Sequence, residues 1–261
     1  ALKSYDTESA LEGIAPLAEK MPPVLCLQNG VDNEPAIAEI LGPENVIAGT
    51  VTSAIGRRDA GDIVLEKLRG IGIANEHPIA ERLAKAMNAA FLNAKLYERA
   101  ADMKWSKMLT NLVGNATSAI LDMSPAELFA SNDIYAFEMK MLHETLDVMD
   151  AQSIGVVNLP GTPVKALALA AKGPVWLRPL AAKKLGGGRG GKMPSFHIDL
   201  HSGRGKSEVD YLNGAVVRAG KNAKVPTPIN ALLNYTLLAM TNAEIPLEDY
   251  AKKVDKLLGQ V

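Results

Sequence analysis

The chain has 261 residues, 48% of them hydrophobic and 22% charged, with a formal net charge of −1. This is the composition of a globular protein, and it supplies no long-range field to gather nucleic acid or an anionic membrane. Aromatics at 5% leave few platforms on which bases could stack.

Residues 1–3 enter a helix-capping stretch, Ser4-Tyr5-Asp6-Thr7, with no Met and no polar lead-in, as if the chain started in mid-domain. From Thr7, apolar residues Leu11, Ile14, Leu17 and Ala18 recur at helical spacing. Pro22-Pro23 stops that helix. Residues 24–27 form a short apolar strand that ends in the turn Gln28-Asn29-Gly30. The strand contains Cys26, the one cysteine, which cannot form an internal disulfide and reads as a buried inert thiol.

A short helix follows at 34–41, closed by Gly42-Pro43, and then a β-branched strand at 46–55. Residues 63–66 and 71–74 read as two short strands, 79–90 as an amphipathic helix and 91–97 as a last strand. Strands alternating with helices imply an α/β domain built on parallel strands.

After Asp102 the pattern is helical almost throughout. Residues 103–121 read as one long helix, unbroken except for Gly114. Ser124-Pro125-Ala126-Glu127 is a capping box with proline at the first helical position. Further helices are expected over 133–154, from Thr162-Pro163, from Ser207-Glu208, from Thr227-Pro228 to 240, and over 246–258. Residues 183–194, rich in glycine and lysine, read as a flexible connection. The chain therefore divides into a sheet domain, 1–100, and a helical domain, 101–261. The most apolar stretch, 164–182, is interrupted by Lys165, Lys172, Pro174, Arg178 and Pro179, so no membrane-spanning segment is expected. With no leader pattern at the start, a cytoplasmic protein is expected.

Three features are candidates for chemistry. Lys107, Asn111 and Asn115 recur every four residues, which on one helix confines them to an arc of about 80°. Their neighbours Trp105, Met108, Leu109, Leu112 and Val113 are apolar, so the polar stripe suits a ligand better than bulk water. A lysine can protonate a carbonyl under reduction, and amides can hold a hydroxyl or a carboxylate. Glu208, at the start of its helix, reads first as a match to the helix dipole and only second as a functional acid, and Asn213 has a similar weak claim. Asn29 follows a strand, where open α/β sheets bind ligands, but Asn-Gly is also an ordinary turn.

Other patterns carry less. Gly186–Gly191 fits G-x-G-x-x-G only formally, because it neither follows a strand nor opens a βαβ unit. His197 and His201 are four apart, yet with no adjacent glutamate and no Cys or third His nearby in sequence, metal binding is not expected. Asp199 reads as a local cap.

Four stretches together resemble the ketopantoate reductase family: residues 2–7, residues 25–31, residues 104–117 with W-x-K-x-x-x-N-x-x-x-N, and residues 195–199 continuing to Ser207-Glu208-Val209-Asp210-Tyr211-Leu212-Asn213-Gly214. Thr227-Pro228-Ile229-Asn230 is similar to the family's closing motif. The resemblance covers essentially the whole chain. It implies a Rossmann domain, partial here because the glycine-rich dinucleotide loop would precede residue 1, followed by a mostly α-helical domain.

It also implies reduction of 2-dehydropantoate, a small 2-keto acid, to pantoate by NADPH. Lys107 matches the catalytic proton donor and Glu208 the acid that binds substrate and supports catalysis. Asn111, Asn115 and Ser195 match substrate-holding positions. Asn29 matches an asparagine near nicotinamide and substrate, and Lys3 a cofactor-contacting lysine. The interval from Asp199 to Glu208 is one residue longer than usual, and Pro125 stands about where some members carry a further asparagine. A homodimer is a possible assembly. The alternatives are a reductase of another branched 2-keto acid and a non-catalytic binding protein on the same fold.

Overall fold

In a computed structural model the described residues are 2–59, 61–173, 192–203 and 205–261. The glycine-rich segment read from sequence as a flexible connection lies mostly outside them. The chain forms two compact units: Ala1–Met108 with Ile154–Lys165, and Leu109–Ser153 with Ala166–Val261.

The first unit is built on strands β1 (Val24–Cys26), β2 (Val46–Val51), β5 (Ile71–Ala74) and β6 (Ala94–Tyr97), in the order β1-β2-β5-β6. β1 pairs with β2 and β5 with β6 in parallel, but β2 and β5 are antiparallel. The sheet is therefore mixed where parallel strands were expected. The strand expected over 46–55 ends at Val51. Thr52 and Ser53 turn away, both backbone N–H groups donating to Gly70 O, and the chain enters a separate antiparallel hairpin of β3 (Ala54–Asp59) and β4 (Asp62–Lys67).

Side chains alternate across the strands and bury both faces of the sheet. Leu25, Ile47, Val51, Ile71 and Ile73 pack with α3 (Ala80–Ala89) through Ala80, Leu83, Ala84 and Met87. On the other side Val24, Cys26 and Val46 pack with α1 (Thr7–Ile14) and α2 (Asn33–Leu41) through Leu11, Ile14, Ile37 and Leu41. This is the helix–sheet–helix layering of a Rossmann-like domain. Segment 154–165 completes the unit. Gly155 N donates to Asp102 Oδ1, Val157 N to Ser106 Oγ, Tyr97 Oη to Asn158 O and Thr52 Oγ1 to Pro160 O.

The second unit is helical: α5 (Asn115–Leu121), α6 (Pro125–Ala130), α7 (Asn132–Ala151), α8 (Val164–Lys172), α9 (Ser195–His201), α10 (Val209–Ala223), α11 (Pro228–Thr241) and α12 (Val254–Leu258). Ser124 and Glu127 form the expected capping box on α6. The terminal helix read over 246–258 is a short 3-10 turn, Leu247–Asp249, and then α12, with Lys252 at φ 60° between them.

The long helix read over 103–121 is two helices, α4 (Ala100–Leu112) and α5. Gly114 breaks it at φ 60°, a left-handed conformation that costs a side-chain-bearing residue energy. The buried Glu138 carboxylate on α7 stabilises the break, accepting from Gly114 N at 2.7 Å and from Thr117 Oγ1.

Candidate active site

In the first unit the sequence around β1 is stitched to the segment before α1. Gln28 Nε2 donates to Thr7 Oγ1 at 2.9 Å and to Leu2 O at 3.4 Å. The Asn33 amide donates to Asn29 O at 2.7 Å and to Ser4 Oγ at 3.2 Å, and Thr7 Oγ1 bonds Asn33 Oδ1 at 3.2 Å. These bonds bring the half-buried Lys3 and the exposed Asn29 to one edge of the sheet, at the carboxyl end of β1. They are 26 positions apart in sequence, where only the family resemblance linked them.

Beneath that loop lies a residue that sequence reading passed over. Lys104 on α4 is buried, and its Nζ donates to Gln28 O at 2.6 Å and Gly49 O at 3.3 Å, joining the loop after β1 to the middle of β2. Glu34 of α2 balances the charge at 2.6 Å, as an ion pair rather than a well-angled hydrogen bond. Gly72 of β5 lets α4 lie close: a Cβ there would meet Met103 Sδ at 2.7 Å. Burial and the nearby Glu34 carboxylate push the Cys26 thiol up to about 11, which makes it unreactive, as expected.

Lys107 is three residues beyond Lys104, about 60° round the same helix. From Met103 to Leu121 every residue is buried except Lys107, Thr110 and Asn111, which are half-buried. Beyond the first turn of α4, the polar stripe is thus its accessible strip. Thr110 belongs to it and was not singled out from sequence. It is three residues from Lys107 and carries a hydroxyl, and that spacing was the signal available.

Asn115 departs from the stripe, because the break at Gly114 separates it from α4. It is buried, and its amide bridges to α9: Nδ2 donates to Ser195 Oγ at 3.3 Å and Oδ1 accepts from Phe196 N at 3.1 Å. Two expected substrate positions, Asn115 and Ser195, are therefore brought together as a hydrogen-bonded pair within the second unit. The described contacts of Asn115 hold α9 in place.

Glu208 is the N-cap residue of α10, 8% exposed, and its side chain makes no capping bond to its own helix. Asn213 is structural. It is fully buried and donates to Asn230 Oδ1 at 3.1 Å, while Asn230 Nδ2 donates to Met141 O and to Glu144 Oε2.

Glu144 also accepts from the backbone N–H groups of Ile229 and Asn230 at the start of α11. Burial nonetheless raises its carboxyl above the ordinary value. The backbone carbonyl of Asp199 accepts from Ser202 N and Oγ at the end of α9. Two clefts of about 310 Å³ each lie elsewhere, one beside Tyr97 and Asn158 and one beside Leu200 and Met240, and neither is lined by an expected site residue.

The groups suit a nicotinamide dinucleotide in part. An ammonium and an amide at the carboxyl edge of a Rossmann-like sheet match its phosphate, hydroxyl and carboxamide groups. The formal glycine-rich match at 186–191 lies outside the described residues.

Comparison with known proteins agrees with this architecture. The 2-dehydropantoate 2-reductase of Streptococcus pyogenes serotype M3 is 26% identical over 236 residues, spanning 87% of this chain and 69% of that protein. A PanE/ApbA family ketopantoate reductase from Ralstonia eutropha JMP134 shares the fold with a TM-score of 0.77 at 24% identity, covering 93% of this chain and 74% of that one. A D-mandelate dehydrogenase solved with NADH has a TM-score of 0.75 at 24% identity, covering 93% and 83%. Residues 1–76 match the family model described as ketopantoate reductase PanE/ApbA, and residues 99–241 match the model of its C-terminal part. The chain belongs to the ketopantoate reductase PanE/ApbA family.

Proposed function

We propose that the protein reduces 2-dehydropantoate to pantoate with NADPH, in the cytoplasm, on the way to pantothenate and coenzyme A. The observation that carries this reading is the accessible strip Lys107–Thr110–Asn111, set in a run from Met103 to Leu121 that is otherwise buried, within the stretch that matches the family's C-terminal model. When bound, NADPH supplies the hydride. The first unit is its dinucleotide-binding domain, with Lys3 and Asn29 as contacts, and the second unit is the substrate domain.

Negative charge develops on the keto oxygen during reduction. The Lys107 ammonium stabilises that charge and then gives the oxygen a proton. Asn111 hydrogen-bonds the substrate's hydroxyl or carboxylate. Asn115 and Ser195 hold the neighbouring groups as a pair, and Glu208 accepts a hydrogen bond from the substrate hydroxyl. The protein contributes orientation and charge, and the cofactor contributes the redox chemistry.

The test is NADPH oxidation by the full-length protein with 2-dehydropantoate and with a panel of other 2-keto acids. Activity is expected only when a keto acid is present and highest with 2-dehydropantoate. Lys107→Ala is expected to lower kcat by about 10²- to 10⁴-fold, and unchanged turnover removes Lys107 from its role. Glu208→Ala is expected to raise KM more than it lowers kcat.

A second reading is favoured by the likeness to a D-mandelate dehydrogenase solved with NADH: the same strip would serve another 2-keto acid, with NADH. Highest kcat/KM on an aromatic or other branched keto acid in the same panel selects it. A homodimer belongs to the first reading, and light scattering on the purified protein checks it.

A further inference from the structure

In sequence His197 and His201 form a pair with no third ligand. The fold supplies one. Asp122 ends α5 in a left-handed conformation, φ 49° and ψ 51°, which turns its side chain off the helix axis. His197 Nε2 is 2.8 Å from Asp122 Oδ1, and His201 Nε2 faces the same oxygen at 4.0 Å, beyond hydrogen-bonding distance. The two imidazole centroids are 4.2 Å apart and tilted by 34°. The three potential ligand atoms all lie within 4.8 Å of one another.

A tetrahedral site with bonds of about 2.1 Å requires donor atoms about 3.4 Å apart. The separations of 2.8 and 4.0 Å straddle that value, so small ring rotations would equalise them. Charge is also favourable. Asp122 is half-exposed at a helix end and faces two imidazoles through one carboxylate oxygen. The nearby Lys252 ammonium is itself engaged by Glu127 at 3.1 Å. His197 is mostly covered, while His201 and Asp122 retain 39% and 50% of their side-chain exposure, which leaves room for a water ligand.

We propose that Asp122, His197 and His201 bind one divalent transition-metal ion of the zinc type, with water completing the coordination shell. Such an ion clamps the end of α5 to α9. These are the two helices whose first residues, Asn115 and Ser195, are already hydrogen-bonded. The inference is independent of the reductase reading, since it uses none of the groups assigned to the reaction.

Zinc titration of the metal-free full chain by calorimetry tests it, with Co²⁺ absorption reporting the geometry. We expect one Zn²⁺ per chain at micromolar affinity or tighter, tetrahedral cobalt bands, and a Zn²⁺-dependent rise in Tm. His201→Gln and Asp122→Asn are each expected to weaken binding at least roughly tenfold. Asparagine tolerates the same left-handed backbone, so the second variant is expected to fold. His143→Gln, at a histidine paired with Asp147 on α7, is expected to leave binding unchanged. If the wild type takes up no zinc at micromolar concentration, or the two site variants bind it as well as the wild type, the site is refuted.

Discussion

Replacing Lys104 by Met keeps most of the buried stem and removes the ammonium. Three oxygens lose their partner: Gln28 O and Glu34 Oε1, each at 2.6 Å, and Gly49 O at 3.3 Å. Lys104 is only 5% exposed and the Glu34 side chain 14%, so water replaces the lost contacts poorly. Removing one partner of such a pair typically costs about 3–5 kcal/mol, mostly because the remaining charge is left desolvated.

Lys104→Met is therefore expected to lose about that much, while Lys104→Met with Glu34→Gln loses less than the sum of the single changes, by about 1–3 kcal/mol. Urea unfolding of the four proteins gives the cycle. Hydrogen exchange over residues 24–34 and 46–51 localises it, and these amides are expected to lose protection first. The loop carrying Asn29 is expected to loosen with them, and under the proposed function KM for the dinucleotide is then expected to rise. A single variant within about 0.5 kcal/mol of wild type, with no coupling to Glu34, would show that the pair does not join the loop to the strand.

The remaining predictions concern the sheet face and the helix break. The Cys26 thiol, pushed from 9.0 to about 11, is expected to react with iodoacetamide far more slowly than a free cysteine until the protein is unfolded. Burial also raises the Tyr97 phenol from 10.0 to about 12. In both groups the folded state holds its proton more tightly than the unfolded chain does. Their contribution is intact below pH 9 and is lost as pH rises, between 9 and 11 for Cys26 and between 10 and 12 for Tyr97.

Tm against pH is expected to fall across that window, and less steeply in Cys26→Ala or Tyr97→Phe. A pH slope identical in these variants and the wild type would remove both groups from the account. Gly114→Ala forces a Cβ into a left-handed residue, 3.3 Å from the Phe129 ring, and is expected to cost about 1–2 kcal/mol in thermal unfolding. A neutral result would mean that the backbone break is not needed at that residue.

What the sequence disclosed follows the range of the forces involved. The stripe at Lys107 and Asn111 was legible because apolar neighbours on the same helix leave one strip unburied, and helical spacing is local. The capping box at Ser124 and Glu127 was legible for the same reason. The break before Asn115 was not, since apolar residues continue at helical spacing through Leu112, Val113, Ile120 and Leu121, and Gly114 alone does not declare its φ. Strand content was readable, but strand direction was not. The reversal between β2 and β5 depends on how the hairpin of β3 and β4 leaves the sheet at Thr52, where the acceptor is Gly70 O, 18 positions away. Lys104 as an organiser, and Asp122 beside His197, depend on contacts across 76 and 75 positions of sequence, which no periodicity encodes.

The first unit borrows a stretch of chain from beyond its own main span. The hydroxyls of Thr52 and Tyr97, the carboxylate of Asp102 and the hydroxyl of Ser106 all find partners in residues 155–160. A fragment cut at Met108 would lose those four contacts, although Thr52 would keep Gly70 O and Asp102 would keep Arg99. Swapping this half between relatives would therefore require transplanting two separate pieces together, and a graft that carries only the leading piece should arrive with a frayed edge at β6.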